Sequence, residues 1–150
     1  MVKKAAEQGG AEAQFNVAIK LEQGLGVTQD HAEAFEWYKK AAEQGHARAQ
    51  NNLASYYDQG LGVESDLAMA VYWYREAANR GHDQAQNTLG ILYYNGDGVP
   101  EDLVQALAWL LRAAGQGNAD AQANSKRIAE TMDAKQIAEA QILLEAPLPN

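Results

Sequence analysis

The sequence predicts an all-α protein made of antiparallel helix pairs that stack in series. Three observations predict this fold class: an internal repeat of 36 residues, apolar side chains at helical spacing within each repeat, and glycines at fixed places in every repeat. One repeat cannot bury its apolar face alone, so consecutive repeats must pack on one another to form a continuous core.

The repeat is visible as residue types that recur at intervals of 36 residues. They are Gly45, Gly81 and Gly117; Gln14, Gln50, Gln86 and Gln122; Trp37, Trp73 and Trp109; Asp30, Asp66 and Asp102; and Gly26, Gly62 and Gly98. These intervals predict a partial repeat over 1–10, repeats over 11–46, 47–82 and 83–118, and a degenerate repeat with a C-terminal capping helix over 119–150. We expect residues 1–150 to form a single solenoid domain.

The middle repeat shows why each repeat contains two helices. Its first half carries core-facing residues at helical spacing: Ala47, Ala49, Gln50, Leu53, Ala54 and Tyr57. Gly60 and Gly62 then end the pattern, because glycine adopts backbone angles that other residues resist. Asp66 is the predicted N-cap of the second helix. That helix carries alanines and aromatic residues, ends at Gly81, and places one tryptophan per repeat in the predicted core: Ala70, Trp73, Tyr74, Ala77 and Ala78.

The two ends of the chain depart from the repeat. The segment 2–9 parallels 38–45, so the chain opens in mid-repeat. We expect either a cut from a longer array, a contact site for another molecule, or a frayed end. After 119, Ser125 and Lys126 replace the usual Leu-Gly pair, and no Gly-x-Gly turn follows. Asp133 and Gln136 have capping-box spacing, as do Asp30 with Glu33 and Asp102 with Gln105, and they predict a final helix that Pro147 and Pro149 end.

These motifs resemble the Sel-one-like repeats, which are relatives of the tetratricopeptide repeats. Residues 83–118 carry the pattern as Ala85-Gln86, Leu89-Gly90, Tyr93, Gly96-Asp97-Gly98-Val99, Asp102, Ala106, Trp109, Ala113-Ala114 and Gly117. The resemblance implies a right-handed α-solenoid that acts as a protein–protein interaction scaffold or adaptor. It also implies that the first helix of each pair lines a concave groove.

Composition excludes several classes of function. A net charge of −8 makes nucleic acid an unfavourable partner, because the phosphate backbone would repel the chain. The chain has 0 Cys and therefore no disulfide and no thiolate metal site. The longest apolar stretch, 106–111, is far below the roughly 20 residues of a membrane span. The first ten residues show no signal peptide, so we predict no membrane insertion and assign no compartment.

The sequence predicts no metal, no cofactor and no catalytic site. His46 and His82 occupy one repeat position, so they should lie roughly 10 Å apart, too far to share a zinc ion. Asn118 follows at the same position, which favours a helix-capping role for all three. A hydrolase is the alternative, because a cysteine-rich group of Sel-one-like proteins is linked to β-lactam hydrolysis. This chain lacks the cysteines and any Ser-x-x-Lys motif. A binder of small cell-wall or carbohydrate fragments is a third hypothesis.

Function in a repeat protein is expected at positions that the repeat leaves free. On the first helix of each pair these positions form what we call the first-helix face: Phe15, Asn16, Ile19, Arg48, Asn51, Asn52, Ser55, Asn87, Thr88, Ile91 and Tyr94. Its amides suit pairing with the main chain of a partner peptide, and its apolar residues suit the peptide's side chains. A merely solvated face is the alternative.

The charge of this face favours one kind of partner. The face and its edges carry three acidic residues, Glu12, Glu22 and Asp58, against one basic residue, Arg48. A neutral or basic protein segment is therefore favoured over an acidic one. Self-association is a further hypothesis, because Phe15 and Ile19 lie next to the truncated first repeat.

Overall fold

The computed structural model describes residues 2–149, and every regular element within them is an α-helix. The helices are α1 (Val2–Glu7), α2 (Ala11–Gln23), α3 (His31–Glu43), α4 (Ala47–Gln59), α5 (Leu67–Asn79), α6 (Asp83–Asn95), α7 (Leu103–Gly115), α8 (Ala119–Ala129) and α9 (Ala134–Glu145). The predicted all-α fold class is confirmed, with two helices in each repeat.

These helices form two compact units, one up to Trp73 and one from Tyr74 onward, which divide within α5. In the first unit, α2 packs between α1 and α3, and α3 also packs on α4. In the second unit, α7 packs against α6, α8 and α9. That the whole chain behaves as one domain stays a prediction.

Side-chain caps begin the helices where the sequence predicts them. The N–H groups of Glu33, Met69 and Gln105 donate to the carboxylates of Asp30, Asp66 and Asp102 at 3.0–3.1 Å. Asp133 and Gln136 form a complete capping box at the start of α9. Glu33 does not close such a box with Asp30, because its carboxylate instead contacts Lys3 at 3.1 Å and the Trp37 indole at 3.4 Å.

The histidine positions are caps, as predicted. The N–H of Ala49 donates to Nδ1 of His46 at 3.1 Å, and that of Ala85 donates to Nδ1 of His82 at 3.2 Å. Asn118 accepts the corresponding bond at the start of α8. The repeat therefore needs an acceptor at this position rather than a histidine as such.

The tryptophans do not share one environment, which corrects the prediction of one core tryptophan per repeat. Trp37 and Trp109 are 6% and 7% exposed, whereas Trp73 is only partly buried. The Trp73 ring lies 5.0 Å from that of Tyr72, which is half exposed. The repeat sets the position of the residue in the helix, but the depth of burial depends on the neighbouring side chains.

The last helix packs against α7 in the second unit. Ala140 of α9 is fully buried with Leu107 and Ala108 of α7. The Arg112 guanidinium donates to the carbonyl oxygens of Leu143 and Ala146 at 2.6 and 3.1 Å, which satisfies the free C-terminal end of α9. Partial burial lowers the pKa of Arg112 from its ordinary value.

Recurrent glutamines, three of them buried, connect each second helix to the first helix that follows it. Nε2 of Gln14, Gln50, Gln86 and Gln122 donates to the carbonyl oxygen of the residue eight positions earlier, at 3.0–3.3 Å. The side chains of Gln44 and Gln116 donate in turn to Gln14 and Gln86 at 2.7 and 2.8 Å. The recurrent glutamine is therefore a structural residue that satisfies helix-end carbonyl groups.

We expect Gln86→Ala to lower the free energy of unfolding by about 1–3 kcal/mol, because it removes the buried hydrogen bond to the Ala78 carbonyl, which then keeps only the N–H of Gly81, and also removes the acceptor of the Gln116 amide. Gln122 is the matched control, since it makes the same bond to Ala114 but is exposed to water. Gln122→Ala should change stability by less than about 0.5 kcal/mol. Urea unfolding followed by circular dichroism measures both; equal losses would contradict the role of burial.

Candidate functional site

The first-helix face of the first unit lies on α2 and α4. Asn16 and Arg48 are exposed, and Ile19, Asn52 and Ser55 are partly buried. Ile19 packs against the core of the first unit with the outer part of its side chain accessible. These five side chains are available to a partner.

Phe15 does not belong to the accessible face, which corrects the prediction made for it. The side chain is 2% exposed and lies in the core of the first unit. Its ring stacks on that of His46 with the centroids 4.6 Å apart, and the Arg48 guanidinium covers it at 4.7 Å. Because Phe15 is covered in this way, it does not offer an apolar edge for self-association, which stays an untested hypothesis.

Two amides of the predicted face are less available to a partner than their positions predict. The side-chain oxygen of Asn51 is buried and has no hydrogen-bond partner among residues 2–149. In the second unit, Oδ1 of Asn87 accepts a hydrogen bond from Asn124 of α8 at 3.2 Å. Asn87 therefore links α6 to α8, and its oxygen already has a donor within the protein.

The rest of the second unit's face lies on α6. Thr88, Ile91 and Tyr94 are partly buried there. Ile91 and Tyr94 pack against the buried side chains of Leu110 and Ile128, so each exposes only part of its apolar surface. An open cavity of about 380 Å³ lies beside Tyr94 and is also lined by Asn95, Glu101, Leu103 and Thr131.

A second cavity, of about 90 Å³, lies on the first-helix face of the first unit. It is lined by Glu22, Asn52, Ser55, Tyr56, Gln59 and Leu61. The Gln59 amide donates to the Ser55 hydroxyl at 2.9 Å along one turn of α4. This volume is far below the roughly 300–1,000 Å³ of pockets for drug-sized ligands, so it fits the end of one side chain.

Three helices contribute to a polar network that includes two residues lining this cavity, Glu22 and Tyr56. The Tyr38 hydroxyl of α3 donates to the Glu22 carboxylate of α2. The Tyr56 hydroxyl of α4 lies 2.9 Å from Nδ1 of His31, and the two tyrosine rings meet edge to face at 5.3 Å. Both tyrosines are almost completely buried, whereas Glu22 and His31 are partly exposed.

The tyrosines stay protonated and keep their hydroxyl hydrogens for donation. Burial, together with the hydrogen bond and negative charge of Glu22, raises the pKa of Tyr38 well above its ordinary value, and a hydrogen bond with Asn52 only partly opposes this. Burial and the same carboxylate raise the pKa of Tyr56. Both hydroxyl groups are therefore neutral donors beside the Glu22 carboxylate.

Sequence patterns indicated Glu22 only as an acidic residue near the face and gave no role to Tyr38, Tyr56 or His31. A partial signal was present, because His31 and Tyr56 depart from the repeat, whereas Glu22 and Tyr38 recur as Asp58 and Tyr74. The corresponding place in the second unit holds Tyr94, Leu103, Leu110 and Ile128. Comparing repeats for polar residues at apolar positions would have identified His31 and Tyr56 but not Glu22 and Tyr38.

The described residues also bear on the predictions about metals and membranes. Across residues 2–149, no group of three or more histidine, aspartate or glutamate side chains is placed to hold a metal ion. No helix in that range has the length and hydropathy needed to cross a membrane.

Comparison with known proteins identifies the repeat. The model of the Sel1 repeat matches residues 11–46, 47–82 and 83–118, which are the predicted repeat boundaries. No curated protein matches the chain. Among solved structures, the chain is similar to c5321, a protective antigen of uropathogenic Escherichia coli strains with an SLR fold, at 38% identity and a TM-score of 0.88 over 95% of this chain.

Two further structures are similar. A Sel1 repeat protein from Oxalobacter formigenes is 39% identical over 79% of this chain, with a TM-score of 0.77. Cysteine rich protein B from Helicobacter pylori is 25% identical over 81% of this chain, with a TM-score of 0.66. The chain spans 31% of the length of the Escherichia coli protein, 47% of the Oxalobacter protein and 92% of the Helicobacter protein.

The family match covers three consecutive repeats, and the helices of the described residues begin and end where that repeat requires. The predicted solenoid fold class of the tetratricopeptide-related type is thereby confirmed. This chain belongs to the Sel1 repeat family.

Proposed function

We propose that this chain is a protein-interaction scaffold or adaptor that binds an extended segment of a partner protein on its first-helix face, without catalytic activity of its own. Sel1 repeat proteins are generally non-enzymatic scaffolds for protein interactions. The observation that supports this proposal most is the full or partial exposure of Asn16, Arg48, Asn52 and Ser55 on α2 and α4, the first helices of two consecutive repeats.

These side chains suit a protein main chain. A peptide in extended conformation presents alternating N–H and C=O groups, and each asparagine amide supplies both a donor and an acceptor. Ile19 offers a small apolar contact beside them. In the second unit, Thr88, Ile91 and Tyr94 offer a corresponding partly apolar surface on α6. The proposed contacts do not include Phe15, which is buried, or Asn51, whose side-chain oxygen is buried. They also do not include Asn87, which is bonded to Asn124.

Charge favours a neutral or basic partner. Glu12, Glu22 and Asp58 lie on or beside the face in the first unit, against the single cation Arg48. Of these carboxylates, that of Glu12 lies 2.6 Å from Nε2 of His46. On the residues that the structure describes, no feature favours the hydrolase or the binder of cell-wall fragments over the scaffold.

Photo-cross-linking in an extract of the source cells tests the face. A benzophenone amino acid in place of Asn16 should capture a defined protein on irradiation, because a bound segment would pass directly over this exposed position. The same amino acid in place of Ala68, an exposed position on α5, is the control. Capture from Ala68 alone, or equal capture from both positions, would contradict binding on the first-helix face.

Affinity for the purified captured protein gives a quantitative test. Asn16→Arg should weaken binding by about tenfold or more, since a bulky side chain would displace the segment from a contact surface. Ala68→Arg adds the same charge at an exposed helix position and should leave the affinity unchanged. Isothermal titration calorimetry measures both, with thermal melts to show that the two variants are equally folded.

A further inference from the structure

The cavity of the first unit contains an anionic group without a cationic partner. The ion pairs within residues 2–149 join Lys3 to Glu33 and His46 to Glu12, and Glu22 belongs to neither. The hydrogen bonds that Glu22 accepts come from neutral tyrosine hydroxyls, which orient the carboxylate without cancelling its charge. A carboxylate offers about four acceptor positions, so further donors have room to bind.

The fold does not require a polar network at this place. One interval of 36 residues on, Asp58 and Tyr74 keep the carboxylate and one tyrosine, while leucines replace His31 and Tyr56. Two intervals on, the positions of Glu22, His31, Tyr38 and Tyr56 hold Tyr94, Leu103, Leu110 and Ile128. Leu110 and Ile128 are fully buried there, and Tyr94 packs against them. Because mainly apolar side chains fill the corresponding positions in the second unit, packing alone does not explain a carboxylate and two tyrosines in the first unit.

We propose that this cavity binds the cationic end of one lysine or arginine side chain from the partner protein. The inference rests on the proposed function, since the cavity lies on the face that would hold the partner segment. Glu22 supplies the charge, and Asn52, Ser55 and Gln59 supply neutral oxygen acceptors around it. Ammonium and guanidinium groups are donors only, so a ring of acceptors with one carboxylate matches their chemistry.

The position of the network explains how the site is held in place. Tyr38 fixes one side of the carboxylate from α3, and Tyr56 approaches from α4 with His31 behind it. The anchoring tyrosines are almost completely buried, whereas Asn52, Ser55 and Gln59 line the cavity from α4 and are partly or fully exposed. A cation that enters from solvent therefore meets a preoriented carboxylate, which reduces the entropy lost on binding.

Small cations test the site without any partner protein. Ethylguanidinium chloride mimics the end of an arginine side chain, and butylammonium chloride mimics the end of a lysine side chain. Each salt is titrated into the ¹⁵N-labelled chain at constant ionic strength, and the amide chemical shifts are followed by NMR. We expect saturable amide shifts at Asn52, Ser55 and Gln59, and the stronger of the two cations identifies the preferred side chain. Glu22→Gln should weaken this binding by about tenfold, because it removes the charge-assisted hydrogen bond.

Asp58→Asn is the matched control for Glu22→Gln. Asp58 occupies the same repeat position in the next repeat, but it is exposed and does not line the cavity. The Asp58→Asn variant should show the same cation-induced amide shifts as the parent chain. Ser55→Leu provides a second variant, because it fills the rim without touching the Tyr38–Glu22 bond, and it should also prevent binding.

The outcomes separate the two proposals. Equal binding to the parent chain and to Glu22→Gln, or shifts spread over all exposed carboxylates, would overturn the cation site. If cross-linking from Asn16 still captures a partner in that case, the scaffold proposal stands without the site. Conversely, saturable binding at Glu22 without any captured protein would contradict the first-helix face and leave a cation site.

Discussion

Replacing Trp109 by alanine should lower the free energy of unfolding by about 3–5 kcal/mol, the usual cost of emptying a large buried aromatic site. Trp109 is 7% exposed on α7, the helix that packs against α6, α8 and α9. The Arg112 guanidinium lies over its ring at 5.0 Å while it holds the end of α9. Loss of the ring therefore creates a cavity and removes the surface on which Arg112 rests.

Trp73→Ala is the informative comparison because Trp73 has the same repeat position and is only partly buried. We expect it to cost about 1–2 kcal/mol, since less apolar area returns to water. Urea unfolding followed by far-ultraviolet circular dichroism is suited to both variants, because tryptophan fluorescence changes with the substitution itself. A cost for Trp73 equal to that for Trp109 would show that burial does not distinguish them.

Gly62→Ala should destabilise the first unit by about 2–5 kcal/mol, because the substitution combines backbone strain with a steric clash. The residue has a φ of 66°, in the left-handed region. A Cβ atom there would lie 2.5 Å from the carbonyl carbon and oxygen of His31, at the start of α3. Because these are backbone atoms, either the turn after α4 or the beginning of α3 must shift.

Gly26 separates the two contributions. It holds the corresponding position in the preceding repeat with a φ of 72°, but no heavy atom lies within 4 Å of its added Cβ. Gly26→Ala should therefore cost only the backbone strain, about 1–2 kcal/mol. Thermal melts of both variants measure the difference. If Gly62→Ala is no worse than Gly26→Ala, the close approach of the turn to α3 is not a constraint on stability.

The repeat determined most of the local structure. Recurrence at 36 residues located the helix pairs, and the family match has the same boundaries. Asp30, Asp66 and Asp102 cap their helices because an acceptor is needed wherever free N–H groups begin a helix. Helix ends at Gly24, Gly60 and Gly96 follow from the left-handed backbone angles that these glycines adopt. Such features depend on a few neighbouring residues, and the sequence displays those neighbours directly.

The candidate site depends on contacts that the repeat pattern does not contain. Helical periodicity placed Phe15 on the outer face, but His46 and Arg48 from the following repeat cover its ring. The same periodicity left Tyr56 unremarked, although packing brings it to His31, 25 residues away. Tyr38 meets Glu22 across 16 residues.

The amino-acid sequence by itself therefore determined the fold class, the repeat boundaries and the caps, because each of these arises from short-range periodicity and hydrogen bonding. Only the tertiary structure decided which face residues are accessible and which polar residues meet at Glu22. The physical reason is that repeat position sets where a backbone atom lies, whereas the size and polarity of side chains from neighbouring helices set how deeply a residue is buried. Those neighbours differ from one repeat to the next.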